Sequence, residues 1–348
     1  MSTSDVTKQG LRGERPGREA QVGAGLSRTR GRTRGRRAEQ PMVPQAEFTS
    51  YYGRPVLKPP SWAPLDIAGY FFLGGLAGAG SVLAAGAQAT GRPATARALK
   101  LSSLAAVSGS AAALVHDLGR PGRFANMLRV FKPTSPMSMG SWLLAAYGPA
   151  AGAAAVLDTA GRLPRLGRAA TAGAALLGPA VAAYTAVLAA DTAVPAWHGG
   201  HRELPFVFVG SAATAAAGMA LVTAPVAEGG PARSAALLGA ALETAAVKAM
   251  ERRLGMVAET YRQGAAGRLM RASELLSAAG VAGALLGRRS RAASAASGVA
   301  LLAASACTRF GVFEAGLRSA RDPKYTVLPQ RERLEQRRAE QCDGAGRV

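Results

Sequence analysis

The chain has 348 residues, a net charge of +21, 49% hydrophobic residues and only 2 cysteines. Two cysteines exclude a disulfide framework, and they exclude a resident iron–sulfur cluster, which needs about four cysteine ligands. The charge would suit a soluble nucleic-acid binder, but it crowds the two ends, and four long uncharged runs between them leave no polar face for water.

Ten Lys or Arg fall within residues 1–40, six of them between Arg28 and Arg37. With no apolar segment beside them, residues 1–60 read as a disordered basic arm without a cleavable signal. Tyr51–Pro64 is a Pro-rich approach in which Trp62 is expected to anchor an interface. The uncharged runs are Ile67–Gly91, Met137–Leu157, Ala169–Ala190 and Leu204–Ala227. Each is long enough to cross a bilayer core, which takes roughly 20 apolar residues. Mean hydropathy is only +0.10. The basic ends lower it, and so does the use of Ala and Gly, small residues that let membrane helices pack closely.

The chain-order expectation is an all-α membrane protein of eight helices, at about 65–89, 98–117, 137–158, 168–191, 205–226, 232–250, 268–287 and 292–314. They group into one bundle over about 62–191 and a second over about 205–314, within a membrane domain spanning 61–318. The basic tail is 319–348, with eight Lys or Arg from Arg318 onward. The sixth and seventh segments carry Glu243 and Glu274. A charge at a helix centre costs roughly 2.5–3.5 kcal/mol on insertion scales, so these need partners. Arg271 stands one helical turn before Glu274 and is expected to pair with it. Pro133 and Pro136 stop any helix before the third segment, which Thr134 or Ser135 can cap. The distribution of Lys and Arg puts both termini in the cytoplasm.

Helix counting places the ends of segments two and four and the starts of segments three and five on one face. His116, Asp117, Arg120, Asp191, His198, His201 and Glu203 therefore gather there. His116 beside Asp117 is suited to passing protons to or from a bound ligand. Tyr184 and Asp191 are seven apart and share a helix face, and a phenol about two turns deep requires a hydrogen-bond partner. Glu243 and Glu274 are candidates for a proton path. All three histidines lie at one face, so a bis-histidine haem in the bundle is not expected. Any metal centres would belong to a partner.

Several strings in order resemble the polysulfide reductase membrane-subunit family, often called NrfD-like. They are Tyr70 to Gly78 at the start of segment one, His116-Asp117-Leu118-Gly119-Arg120-Pro121 with Arg123-Phe124, and Phe131 to Met137 followed by Gly140-Ser141-Trp142. Tyr184-Thr185 through Asp191 to Trp197-His198, then Arg202 to Phe206, completes the set. The resemblance covers about residues 60–226, and the Arg-rich arm is not part of its pattern.

The resemblance implies a quinone-reactive membrane subunit with no redox centre of its own, inactive alone. It would serve a ferredoxin-like iron–sulfur subunit and a molybdopterin catalytic subunit, and take menaquinone or ubiquinone in the first bundle. On that reading His116, Asp117 and Asp191 exchange protons with the quinone. Tyr184 bonds a quinone carbonyl, and Arg120, Arg123 and Trp142 line the pocket or the docking face. His198, His201 and Glu203 form a docking loop or admit protons. Nucleic acid is not an expected partner. The alternative is a secondary transporter, whose signs would be repeats and broken helices at the midplane.

Overall fold

The computed structural model describes residues 5–7, 10–12, 56–60, 62–118 and 122–345. The chain divides into two units, Pro60–Ser319 and a second made of Met1–Pro59 with Ala320–Val348. In the second unit, β1 (Asp5–Thr7) and β2 (Gly10–Arg12) pair antiparallel. That unit also holds α12 (Lys324–Ala345), a charged helix within the basic tail that the sequence pattern did not suggest.

The first unit has helices as its secondary structure among the described residues, joined by short turns. Its long helices are α1 (Pro64–Ala89), α2 (Pro93–Asp117), α4 (Pro136–Ala160) and α5 (Pro164–Ala190), then α7 (Leu204–Thr223), α8 (Gly230–Leu254), α10 (Gly264–Leu286) and α11 (Arg291–Arg321). These are the eight expected helices. Three short ones, α3 (Gly122–Met127), α6 (Pro195–Gly199) and α9 (Glu259–Arg262), sit in the connections. Proline punctuates the starts: α1, α2, α4, α5, α6, α7 and α8 each carry Pro at the first or second position. There its fixed φ fits and its missing N–H costs nothing. Ser135 precedes α4 without capping it through its side chain. The Ser138 hydroxyl instead accepts the Lys132 amide at 3.1 Å and donates to the Val130 carbonyl at 2.9 Å.

Seven of the eight long helices are long and apolar enough to cross a membrane. The exception is α8, the expected sixth segment, which is more polar. The protein is thus a multi-pass membrane protein. α1, α2, α4 and α5 pack as one four-helix bundle, while α7, α8 and α10 pack with α11 as a second. The most buried spans are α1 and α7, which face each other across the junction.

Helices approach closely where both partners lack a Cβ. A Cβ on Gly78 of α1 would lie 2.4 Å from the Gly178 carbonyl of α5, and one on Gly218 of α7 would lie 2.6 Å from the Gly298 carbonyl of α11. Such small-residue crossings let dispersion between backbones do what the hydrophobic effect cannot do in lipid. An alanine- and leucine-rich cluster including Ala84, Leu99, Ala217, Leu221, Ala236 and Leu301 then joins the two bundles.

Candidate functional site

One end of the first unit gathers the starts of α1, α4, α7 and α10 and the ends of α2, α5 and α8. Trp197 of α6 is fully buried there. It stacks on Trp62 at 5.6 Å, touches Phe313 at 5.7 Å, and donates from Nε1 to the Val312 carbonyl at 2.8 Å. Trp62 is thus an internal anchor against Trp197. Glu203, just ahead of α7, takes hydrogen bonds from both Nε and a terminal nitrogen of Arg253, while Arg253 also reaches the Gly199 carbonyl at 2.6 Å. The Arg253 guanidinium holds the Glu203 carboxyl below the usual range. This pair fastens the α6–α7 connection to the end of α8.

His116 closes α2 on the same end. Its Nδ1 lies 2.8 Å from Asp66 Oδ2 of α1, with the histidine 79% and the aspartate 21% exposed. The partner of His116 is therefore Asp66, across the helix pair, and not its neighbour Asp117. Asp117 Oδ1 instead accepts the Ala63 amide at 3.4 Å, where the chain enters α1.

One helical turn inward from Asp66 stands Tyr70, and another turn on stands Gly74, a spacing that keeps all three on one side of α1. Tyr70 is buried and lies within electrostatic range of Tyr184 on α5. Among the described residues neither phenol oxygen makes a hydrogen bond. The Tyr184 ring lies over Gly140 of α4, where a Cβ would come within 1.9 Å of its Cζ. Gly74 faces Ser110 of α2 and Thr185 of α5. The Ser110 hydroxyl donates to the Tyr70 carbonyl at 3.3 Å, while the buried Thr185 hydroxyl has no partner. All four helices of the first bundle thus contribute to one polar seam that runs inward from the Asp66–His116 pair. Buried hydroxyls are ordinarily satisfied, so the unpartnered Thr185 hydroxyl, beside two phenols that make no hydrogen bond, fits an oxygen-bearing ligand.

The other expected residues sit at varied distances from this seam. Asp191 is exposed immediately after α5. His198 is exposed, with Nδ1 3.1 Å from the Ala190 carbonyl at the end of α5, and its ring stacks on that of His201 at 5.8 Å. Trp142 lies on the far side of α4 from Gly140, exposed, edge-to-face with Phe131 at 6.0 Å between ring centres and with Nε1 3.4 Å from the Val130 carbonyl. Arg120 and the side chain of Arg123 lie outside the described residues. Among the described residues no group of three or more His, Cys, Asp or Glu converges as a metal site.

In the second bundle Glu243 is buried and Glu274 exposed. The expected Arg271–Glu274 pair is not formed: Arg271 Nε donates to the Gly267 carbonyl at 3.1 Å, one turn back along its own helix. Sequence reasoning passed over Arg309 of α11, which is fully buried and packs its guanidinium 3.9 Å from the Phe208 ring centre. One of its nitrogens donates to the Phe208 carbonyl at 2.6 Å, and two have no partner. Its position inside an apolar run was the available signal. Asp66 and Ser110 were likewise passed over, and Tyr70 and Thr185 appeared only within the strings of the resemblance, without a role at the site. The four-residue spacing of Asp66, Tyr70 and Gly74 could have found the first two.

The chain matches the family model described as polysulphide reductase, NrfD, over residues 58–250, more than half its length, and this assigns it to that family. No curated protein matches it.

Proposed function

We propose, from the premise that the chain belongs to the polysulphide reductase NrfD family, that it is a membrane anchor and quinone- or quinol-reactive subunit. Family membership implies a membrane subunit of a molybdopterin oxidoreductase complex. The finer reading is that this chain exchanges electrons between a partner iron–sulfur subunit and the membrane quinone pool, with protons taken up or released alongside. The observation that carries it is the pair of unpartnered phenols, Tyr70 and Tyr184, one turn inside Asp66–His116.

A bound quinone would supply a two-electron, two-proton couple with a carbonyl oxygen at each end. Tyr70 and Tyr184 each have a hydroxyl hydrogen free to donate to such an oxygen, and Thr185 offers a third donor beneath them. His116, exposed at the rim, exchanges protons with water, and Asp66 hands them inward along α1. Asp117 fixes the approach to α1. Asp191 and the His198–His201 pair remain on the rim, facing whatever docks there. The apolar walls of α1 and α5 keep bulk water from the seam.

The test is quinone binding by the purified chain in detergent, with Tyr70→Phe and Tyr184→Phe. Each removes one hydroxyl and keeps the ring. Loss of a hydrogen bond worth about 1–1.5 kcal/mol weakens binding about 5- to 13-fold. Unchanged affinity in both variants overturns the assignment. Asp66→Asn should leave affinity near wild type and slow quinone turnover in the assembled complex.

A further inference from the structure

The second bundle contains a cavity of about 360 Å³ that shares no residue with the seam of the first. It lies between α8 and α10, with α9 at one end and α11 behind. Its mouth is charged. Lys248 and Glu251 come from α8 and Arg262 from α9, while Arg271 and Glu274 of α10 line its side next to Ser273. Glu251 and Arg262 satisfy each other at 2.7 Å, and Glu274 is exposed. The mouth is at the same end of the bundle as Glu203–Arg253 and the histidines.

The inner wall is of another kind. Glu243 is only 6% exposed. Its Oε1 accepts the Thr308 hydroxyl at 2.5 Å, and Thr308 in turn lies 2.6 Å from the Ser273 hydroxyl. Its Oε2 has no partner, and neither does the buried hydroxyl of Ser277 on the same wall. Eight residues of helix separate Glu243 from Glu251 at the mouth, a depth of about 12 Å. An unpaired carboxylate oxygen at that depth is costly unless water or a proton reaches it. The space is ample for several waters, each needing polar partners of the kind this wall presents.

Behind Glu243 lies a second buried charge. Arg309 stands within electrostatic range of Glu243, against Phe208 and Gly75 of the neighbouring helices. Residues 204–223 of α7 bring no charged or titratable group. A fixed guanidinium at the end of a wet passage repels a proton trying to go further.

We propose that this cavity is a water-filled proton well, and that Glu243 on its inner wall binds and releases protons delivered from the histidine-bearing face. Thr308 and Ser273 link the acid to the well's water. Arg309 makes the well a dead end. Glu274 is exposed to the surroundings and is not the acceptor. The proposal does not rest on quinone binding in the first bundle.

The experiment is labelling of the purified wild-type chain with dicyclohexylcarbodiimide, an apolar reagent that attacks protonated carboxyl groups, followed by peptide mass spectrometry. An adduct on Glu243 is expected, increasing as pH falls by up to about tenfold per unit above the acid's midpoint. It should vanish in Glu243→Gln and fall severalfold in Ser277→Leu, which fills the cavity and leaves the acid in place. No adduct on Glu243 at any pH would overturn the proposal, marking the acid as sealed against Arg309. So would labelling indifferent to both pH and Ser277→Leu. The wild-type pH series decides by itself if a variant fails to fold.

Discussion

Gly140→Ala tests the quinone assignment without removing a polar atom. The added Cβ would fall 1.9 Å from Tyr184 Cζ and 2.0 Å from its hydroxyl oxygen. Ordinary carbon contacts need about 3.5–4.0 Å, so ring and helix must part by about 1.5–2 Å. A hydrogen bond of about 2.8 Å does not survive that displacement. If Tyr184 donates to a bound quinone, the loss is about 1–1.5 kcal/mol, or about 5- to 13-fold in affinity. The same overpacking should lower fold stability by about 1–3 kcal/mol. The assay is a quinone titration of wild type, Gly140→Ala, Tyr184→Phe and the double variant, with thermal unfolding run beside it. The two changes act through one hydroxyl, so the double variant should bind about as weakly as either single one. Wild-type affinity in Gly140→Ala, or fully additive losses in the double variant, would refute the reasoning.

Two further expectations concern the end of the bundle. The Glu203 carboxyl is depressed in the folded state by Arg253. Its contribution is therefore complete above the unfolded glutamate value of about 4.3 and fades as pH falls through the lower folded value. Glu203→Gln should cost up to about 1 kcal/mol near neutrality, since the pair is partly exposed to screening solvent. Melting curves of variant and wild type should converge in acid, and a gap that widened there would contradict the pairing. Trp197→Ala should destabilise by about 3–5 kcal/mol, because a fully buried ring loses its stack and its hydrogen bond. Trp142→Ala should cost far less, and equal losses in denaturant titrations would mean the two tryptophans are misplaced.

The helices were legible because membrane spanning imposes a length and a composition that any window of sequence displays. α1, α2, α4 and α5 start and stop within a few residues of expectation, since prolines at their starts are local signals. The one-ended gathering of His116, Asp191 and His198 was also legible, because alternation of short-looped helices fixes which ends lie together. The sixth and seventh segments, α8 and α10, were the hardest to read because each carries charged residues, and α8 is the one too polar to count as a span. Glu243, Thr244, Val247, Lys248 and Glu251 on α8 line a cavity rather than a packed core.

Pairing across helices was not legible. Adjacency in sequence suggested that His116 works with Asp117, yet rotation about the α2 axis turns His116 toward Asp66, 50 residues away. The same rotation puts Trp142 outside and Tyr184 over Gly140. Arg309 illustrates the limit. One charge in an apolar run says that something accommodates it, but Phe208, Gly75 and Glu243 come from three other helices. The sequence by itself determined a basic-ended, eight-helix membrane protein with its three histidines at one end, because hydropathy and charge act along the chain. Only the tertiary structure decided which groups meet, because a helix fixes the spacing of its side chains and leaves to packing the angle at which they face their neighbours.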